Sequence, residues 1–362
     1  MKVDDTKGHI SIAERVKRRC RLSLTRMEKG SSLFTEDDSD DEECPNLDDD
    51  AIEVGELVGR GGFSNVLALH NLKISTDLLV SATSSSDGDS SVLTAVSALP
   101  EAYVVKQIRK SISGNMKYNG IIDLAKEARF LSKLSHPNII QIVSTGGTRG
   151  DANFCLILER MDKSLGLQIL DWHADSIMIR FPTKKSKEEW RIRRLERVEV
   201  ARQVSSAMAF LHERNIMFRD LKPNNVGVDT GRGAVKIFDF GLAKELRPSF
   251  HIGGGVYKNT KNAGTRRYMA PEVYSSDKYG LSGDAFSFAI LVWELMTLKS
   301  AFSYFSKEEH ATFVYQLNCR PKISFGWPSL LKAIVRCCWS EDPTERLTFQ
   351  KIESSLASYI ES

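Results

Sequence analysis

Long apolar runs are missing from this 362-residue chain. The longest, FAILVW at 288–293, has six residues, against the roughly 20 that a membrane-spanning helix needs. Cysteine is sparse. The six, at 20, 44, 155, 319, 337 and 338, form no CxxC pair, which excludes a zinc site of converging thiolates and is too thin for a disulfide scaffold. A reduced, intracellular protein is expected. The amino terminus MKVDDTKGHISIAERVKRR has no apolar core, so no secretory signal is expected. Net charge is also small, +3 from 50 Lys and Arg against 47 Asp and Glu. A chain that works by coating nucleic acid carries far more, so no nucleic-acid partner is expected. There is no internal repeat.

What the chain does have is 41% hydrophobic residues, enough for one large or two medium cores. Its small net charge hides a split. Residues 1–30 hold nine bases and four acids, whereas residues 36–50 hold ten acids and no base. Neither stretch supplies periodic apolar residues for a core, so residues 1–50 read as a disordered tail, basic and then acidic. Ile10, Ile12, Val16 and Leu22 offer a short amphipathic helix that would be marginal in isolation. The basic run RVKRRCRLS (15–23) has three open readings: a nuclear-localisation or nucleic-acid patch, a phosphorylation site at Ser23, or a solvated charged run.

Order is expected from Ile52. IEVGELVGRGGFSNVLAL (52–69) predicts two strands around a Gly-rich turn. Residues 75–97 contain eight serines and read as an insertion between strands. AYVVKQI (102–108) and NFCLILERM (153–161) read as strands. GIIDLAKEARFLSKL (120–134) carries Ile121, Leu124, Ala128, Leu131 and Leu134 on one helical face and stops before Pro137. From about 165 the pattern turns helical, as in RVEVARQVSSAMAFLHE (197–213) and DAFSFAILVWELMT (284–297). A strand-rich segment therefore precedes a helix-rich one, with a junction near 159–164. The plan is α+β and two-lobed, and clefts between lobes are favoured ligand sites.

Gly59, Gly61 and Gly62 lie in GRGGFSNV (59–66). Bare backbone of this kind can aim N–H groups at phosphate, although such a turn is often only a turn. Lys106 sits in the apolar strand VVKQI; it needs an anionic partner if it is buried, or else it faces water at a sheet edge. Glu127 on the next helix is a candidate partner, or a solvated position beside Lys126 and Arg129. The segment NIMFRDLKPNNVGVD (215–229) is more specific. Asp220, Lys222 and Asn225 share one loop there, and Asp239 opens another in VKIFDFGLA (235–243). Phosphoryl transfer needs such a set: a carboxylate for the acceptor hydroxyl, a cation against the moving charge, and oxygen ligands for Mg²⁺.

On these residues the chain resembles the eukaryotic protein kinase family from about Ile52 to Ile360. GRGGFSNV resembles the nucleotide loop, VVKQI the strand lysine, and EARFLSKLSHPNII (127–140) the helix that carries the lysine's partner. FRDLKPNN resembles the catalytic loop, DFG the magnesium loop, and GTRRYMAPE (264–272) the end of the activation segment. Asp284 is similar to the buried aspartate that steadies the catalytic loop. Arg346 is similar to the arginine that pairs with the APE glutamate, here Glu272. The resemblance implies a bilobal kinase domain at 51–360, with a small β-rich lobe (51–160) interrupted by the serine-rich insertion (about 71–101) and a larger, mainly helical lobe (161–360). It also implies roles. Val58, Gly59, Arg60, Gly61, Gly62 and Val66 line the ATP site, and residues 59–66 cover its phosphates. Lys106 grips the α- and β-phosphates, held by Glu127, and Glu159 and Met161 offer hinge groups to adenine. Asp220 takes or orients the acceptor proton, Lys222 sits near the γ-phosphate, and Asn225 with Asp239 holds Mg²⁺. ATP, Mg²⁺ and protein substrates follow as cofactors and partners, and the cytoplasm, with the nucleus as an alternative, as the compartment.

Two positions depart from the pattern. Ser64 replaces the third glycine of the nucleotide loop, and Phe218 replaces the histidine before Arg219. Neither change removes a group that touches metal or moves a proton, so an active enzyme is expected over a silent pseudokinase acting as a binding module. LKPNN and Thr265 resemble the Ser/Thr kinases, while CCWSEDPTERLTF and FAILVWELMT resemble their tyrosine-kinase-like group; tyrosine activity stays open. Asn224 stands where arginine-directed kinases often carry a glutamate, and argues against that specificity. Arg219 offers a site for a phosphate on the activation segment, at Ser249, Tyr257 or, best placed, Thr260. Its other reading is a structural ion pair.

Overall fold

The computed structural model describes residues 11–29, 31–34, 44–73, 99–178 and 184–362, and the serine-rich stretch 75–97 lies outside them. The chain divides into two compact units. One holds the residues up to Ser135 with Gln141–Arg160, and the other holds His136–Ile140 with Met161–Ser362.

The first unit contains α1 (Ile12–Glu28), β1 (Asn46–Leu47), β2 (Ile52–Arg60), β3 (Ser64–Leu72), β4 (Tyr103–Ile108), α2 (Gly114–Leu131), β5 (Ile142–Gly146) and β6 (Cys155–Glu159). Its six-stranded sheet runs in the order β1-β5-β6-β4-β3-β2. All neighbours are antiparallel except β1, which lies parallel to β5 with Asn46 opposite Thr145. Side chains alternate across the sheet. Val105 joins Leu47, Leu69 and Cys155 in an apolar cluster on one face, while its neighbour Lys106 points to the face that carries α2. That helix starts six residues earlier than its periodicity predicts, but Ile121, Leu124, Ala128 and Leu131 are buried as the spacing requires.

Within the described part of residues 1–50, α1 and β1 stand where a disordered tail with at most a marginal helix is expected. Ser11 caps α1 by accepting a hydrogen bond from the Glu14 N–H at 3.2 Å, and Glu14 and Arg26 sit at the ends that favour their charges. Tertiary contact supplies what propensity lacks. Val16 and Cys20, one turn apart, are 7% and 2% exposed, and Phe34 and Leu47 are fully buried.

The second unit contains β7 (Lys163–Ser164), α3 (Leu165–Met178), α4 (Lys184–Glu213), β8 (Ile216–Met217), β9 (Val226–Asp229), β10 (Ala234–Ile237), β11 (Lys244–Glu245), β12 (His251–Gly253), β13 (Val256–Lys258), α5 (Pro271–Ser275), β14 (Lys278–Tyr279), α6 (Ser282–Thr297), α7 (Lys307–His310), α8 (Ser329–Cys338) and α9 (Phe349–Glu361). Helix α6 buries Ala285 to Val292 without a break, and a helix apolar on every side belongs at the centre of a core. Phe288 of α6 and His212 of α4 both meet the ring of Phe349, at 5.4 and 4.8 Å. No described helix is long and apolar enough to cross a membrane, and the six cysteines are free thiols.

His310, at the end of α7, is buried between the rings of Phe302 and Tyr315, at 5.0 and 5.1 Å. Burial, with the charges of Arg266 and Arg267, pushes its pKa down to about 4 from an ordinary 6.5. Between those values the unfolded chain holds a proton that the folded chain refuses, so stability falls as pH falls through that window. Urea unfolding at pH 7.5 and 5.0 is expected to show an acid loss that is smaller by about 1–2 kcal/mol in His310→Gln.

Candidate active site

In the first unit, β2 and β3 meet at the turn 61–63. The Gly61 N–H donates to the Ser64 carbonyl at 2.8 Å. A Cβ on Gly61 would lie 2.8 Å from Ser64 Oγ, whereas one on Gly62 would meet nothing within 4 Å. Ser64, which departs from the family pattern, is itself buried. Its side chain fills space beneath Gly61 and leaves the loop's outer backbone bare. Gly59 is paired with Val66, Arg60 with Asn65, and Val58 is half-exposed on β2. The turn is seated on α2: Phe63 Cβ lies 2.7 Å from where a Cβ on Gly120 would stand, and the Phe63 carbonyl accepts from the Arg109 N–H at 2.9 Å.

Lys106 Nζ lies 2.8 and 2.6 Å from the two carboxylate oxygens of Glu127. The side chains are 10% and 2% exposed, so neither the water-facing lysine nor the solvated glutamate describes them. Buried charges of this kind persist only as a pair, because removing one partner strands the other at a cost of about 3–5 kcal/mol. Glu159 closes β6, with its carboxylate accepting from the Gln141 N–H at 2.7 Å.

In the second unit, the loop after β8 is gathered by one carboxylate from α6. Asp284 accepts the N–H groups of Phe218 and Arg219 at 2.8 and 2.9 Å and faces His212 Nε2 at 3.1 Å. Arg219 takes a positive φ of 71°, and its Nε donates to the Leu242 carbonyl at 2.5 Å. Asp220 follows, fixed from three sides. It accepts the Thr265 N–H at 2.8 Å, Lys222 Nζ at 2.7 Å and Asn225 Nδ2 at 3.0 Å. Lys222 also donates to Thr265 Oγ1 at 2.8 Å. The Phe238 N–H bonds the Asn225 carbonyl at 3.0 Å, which sets Asn225 beside the segment carrying Asp239, a residue in the left-handed region at φ 73°. Asn225 commits its amide N–H to Asp220, so its oxygen is the atom open to a cation. An amide oxygen and a carboxylate suit the hard Mg²⁺ ion. No group of three His, Cys, Asp or Glu that could hold a metal ion by itself occurs among the described residues.

Phe218 and Phe240 are both fully buried and meet edge-on at 5.1 Å. Arg346 grips Glu272 with two bonds, of 2.6 and 2.9 Å. The Met161 side chain packs against Gly227. Gly264 has a role that the sequence reading missed. It sits at φ 116°, and a Cβ there would run into the Arg219 carbonyl oxygen. Its only sequence signal was a glycine next to Thr265. Tyr268, also missed, donates to buried Glu294 at 2.9 Å and anchors the segment behind Thr265 on α6.

The sequence signature of the protein kinase domain matches residues 87–356. The chain belongs to the protein kinase family. Its fold is accordingly the α+β protein kinase fold, although the Gly-rich turn at 59–66 lies ahead of the matched stretch. The kinase is similar to serine/threonine-protein kinase STY17 of Arabidopsis thaliana, with 32% identity covering 66% of this chain and 37% of that protein. It is similar to probable serine/threonine-protein kinase drkC of Dictyostelium discoideum, with 32% identity covering 65% and 29%. Serine/threonine/tyrosine-protein kinase HT1 of Arabidopsis thaliana shares 30% over 65% of the chain and 54% of its own length. The chain spans a little over a third of relatives such as STY17 and STY46, at 37% and 36%.

Gly264→Ala should force the 264–265 backbone away from Arg219 and Asp220. The expected result is a fall in turnover of more than about tenfold with a cooperative unfolding transition retained; peptide-phosphorylation rates and thermal unfolding check it.

Proposed function

We propose that this kinase transfers the γ-phosphate of ATP to serine and threonine hydroxyls of protein substrates, in a Mg²⁺-dependent reaction. The observation that carries the proposal is the setting of Asp220, whose carboxylate is held at once by Lys222, Asn225 and the Thr265 N–H. A carboxylate fixed in this way can take the acceptor proton as the acceptor oxygen bonds to the γ-phosphorus. The bond from that phosphorus to the β,γ-bridging oxygen breaks, and ADP leaves. Lys222 supplies positive charge to the moving phosphoryl group, and Lys106, held by Glu127, supplies it to the α- and β-phosphates. Asn225 and Asp239 would hold Mg²⁺, which when bound offsets phosphate charge. A silent module would need one of these groups removed, and all are present. Serine and threonine are favoured as acceptors by Thr265, which ties the activation segment to Lys222.

The catalytic domain is proposed to span 51–360, with α1 and β1 as an added arm. The basic run at 15–21 lies within α1 and exposes Arg18, Arg19 and Arg21, which keeps a nuclear address open beside the cytoplasm. Asp220→Ala should cut transfer to a peptide library by about 10³-fold or more. Absence of transfer by the wild type would overturn the enzyme reading, and equal transfer to tyrosine peptides would overturn the acceptor reading.

Activation by phosphorylation is part of the proposal. Burial, with the charges of Arg219 and Arg247, brings the Lys244 pKa down to about 8, which marks a cationic cluster that an anion would relieve. Lys244 Nζ donates to the Lys258 carbonyl at 3.2 Å, two residues before Thr260, whose own carbonyl accepts from the Tyr279 hydroxyl. Thr260 is exposed. Thr260→Ala is expected to lower turnover several-fold, and phosphatase treatment should lower the wild type to the same level. Unchanged kinetics after phosphatase would defeat this part.

A further inference from the structure

Helix α2 carries Glu127, and it is held on its far side by residues that precede the kinase domain. At 3.6 residues per turn, Arg129 lies about 200° round α2 from Glu127, so the two side chains leave the helix in opposite directions. Arg129 is 1% exposed. Its Nη2 lies 2.9 Å from the carboxylate of Glu28, the last residue of α1. Its guanidinium also sits 5.4 Å from the centre of the Phe34 ring. Phe34 in turn meets Phe130 edge-on at 5.4 Å. The turn at 31–34 is fixed by Ser31, whose Oγ accepts the N–H groups of Leu33 and Phe34 at 3.0 and 2.8 Å.

The arm has further anchors. Lys17 pairs with Asp151 at 2.8 Å, and Cys20 packs on Gly150, where an added Cβ would lie 3.4 Å from its own. Beyond Phe34, the Pro45 carbonyl accepts from the Thr145 N–H and from Ser144 Oγ, each at 2.8 Å. The arm is thus tied to α2, to the 150–151 turn and to the edge of the sheet. A helix gripped from behind in this way cannot swing its Glu127 face off Lys106 without parting a buried guanidinium from Glu28 and exposing Phe34 and Phe130.

We propose that Glu28 and Phe34 are positioning residues for Lys106. The arm holds α2 in the orientation that keeps Glu127 on the lysine, and so sets the grip on the nucleotide phosphates from outside the catalytic domain. This rests on the reading of Lys106 as the phosphate-binding lysine.

The test uses the full chain with ATP and a phosphorylatable peptide, measuring kcat, KM for ATP and the thermal unfolding midpoint. Glu28→Lys and Phe34→Ala should each lower kcat/KM for ATP about tenfold, with part of the loss appearing in KM. The exchange of charges in Glu28→Arg with Arg129→Glu should restore most of what Glu28→Lys loses. Leu69→Ala is the control for stability alone, because Leu69 lies in the apolar cluster on the opposite sheet face and outside the arm. It should lower the midpoint while keeping near wild-type kinetics below that temperature. Wild-type kinetics in both arm variants would overturn the proposal, as would activity losses that track the midpoint equally in all three variants. Lys106→Met separates the two readings: if it stays active the role of the lysine is wrong, and if it is inactive while the arm variants are normal only the arm is wrong.

Discussion

The polar atoms of the catalytic loop are referred, directly or at one remove, to the carboxylate of Asp284. That side chain is 1% exposed and comes from α6, the most deeply buried helix of its unit. It accepts two consecutive main-chain N–H groups, from Phe218 and Arg219. Ionised acceptors make hydrogen bonds about twice as strong as neutral ones. They need to be strong here, because Arg219 sits in the left-handed region that costs a non-glycine residue about 1–2 kcal/mol. The turn this creates brings the Arg219 carbonyl against Gly264 and delivers Asp220 to Lys222, Asn225 and Thr265. Loss of the α6 carboxylate would therefore release a whole hydrogen-bonded assembly.

Each unit also builds an ion pair that contributes little to stability. Lys106 with Glu127 and Arg346 with Glu272 are each largely withdrawn from water, and desolvation offsets most of their attraction. What they enforce is one geometry over its neighbours. The bidentate pair between Arg346 and Glu272 makes this plain, since a planar guanidinium accepts a carboxylate in only a narrow range of orientations. It joins the activation segment to the approach to α9, 74 positions away. Tyr268 and Glu294 do the same work without a formal cation. Burial raises the pKa of that glutamate, and the hydrogen bond from Tyr268 works against the rise.

The legible parts of the site were those whose partners are close in sequence. Asp220, Lys222 and Asn225 fall within six positions, and the structure has them in mutual contact. The pairing of Lys106 with Glu127 spans 21 positions. The residues alone left a solvent-facing reading open for each, and only burial removed it. The fold was legible where periodicity was strong, as in α2 and α6. It fell short in the described part of residues 1–50, where only a marginal helix is expected and Val16, Cys20, Phe34 and Leu47 are scattered singly among charges. No window there contains an apolar stripe wide enough to read as core, because the complementary surface belongs to α2 and β5. Gly264 failed for a different reason: its necessity lies in a positive φ and in a carbonyl 45 residues upstream, and neither leaves a mark on composition.

Phe218 shows which part of the loop's chemistry belongs to side chains and which to backbone. A histidine at that fully buried place would bring ring nitrogens that need hydrogen-bond partners in an apolar setting. Phenylalanine keeps the ring, packs edge-on against Phe240, and asks for no such partner. What Asp284 takes from this position is the N–H of the main chain, which every residue but proline supplies. The exchange therefore alters the packing beneath the loop and leaves its anchoring intact. The same separation explains Ser64, whose side chain is buried under the turn while the glycines above it stay bare. In both places the departure falls on an atom that packs, and the atoms that position the reacting groups are kept.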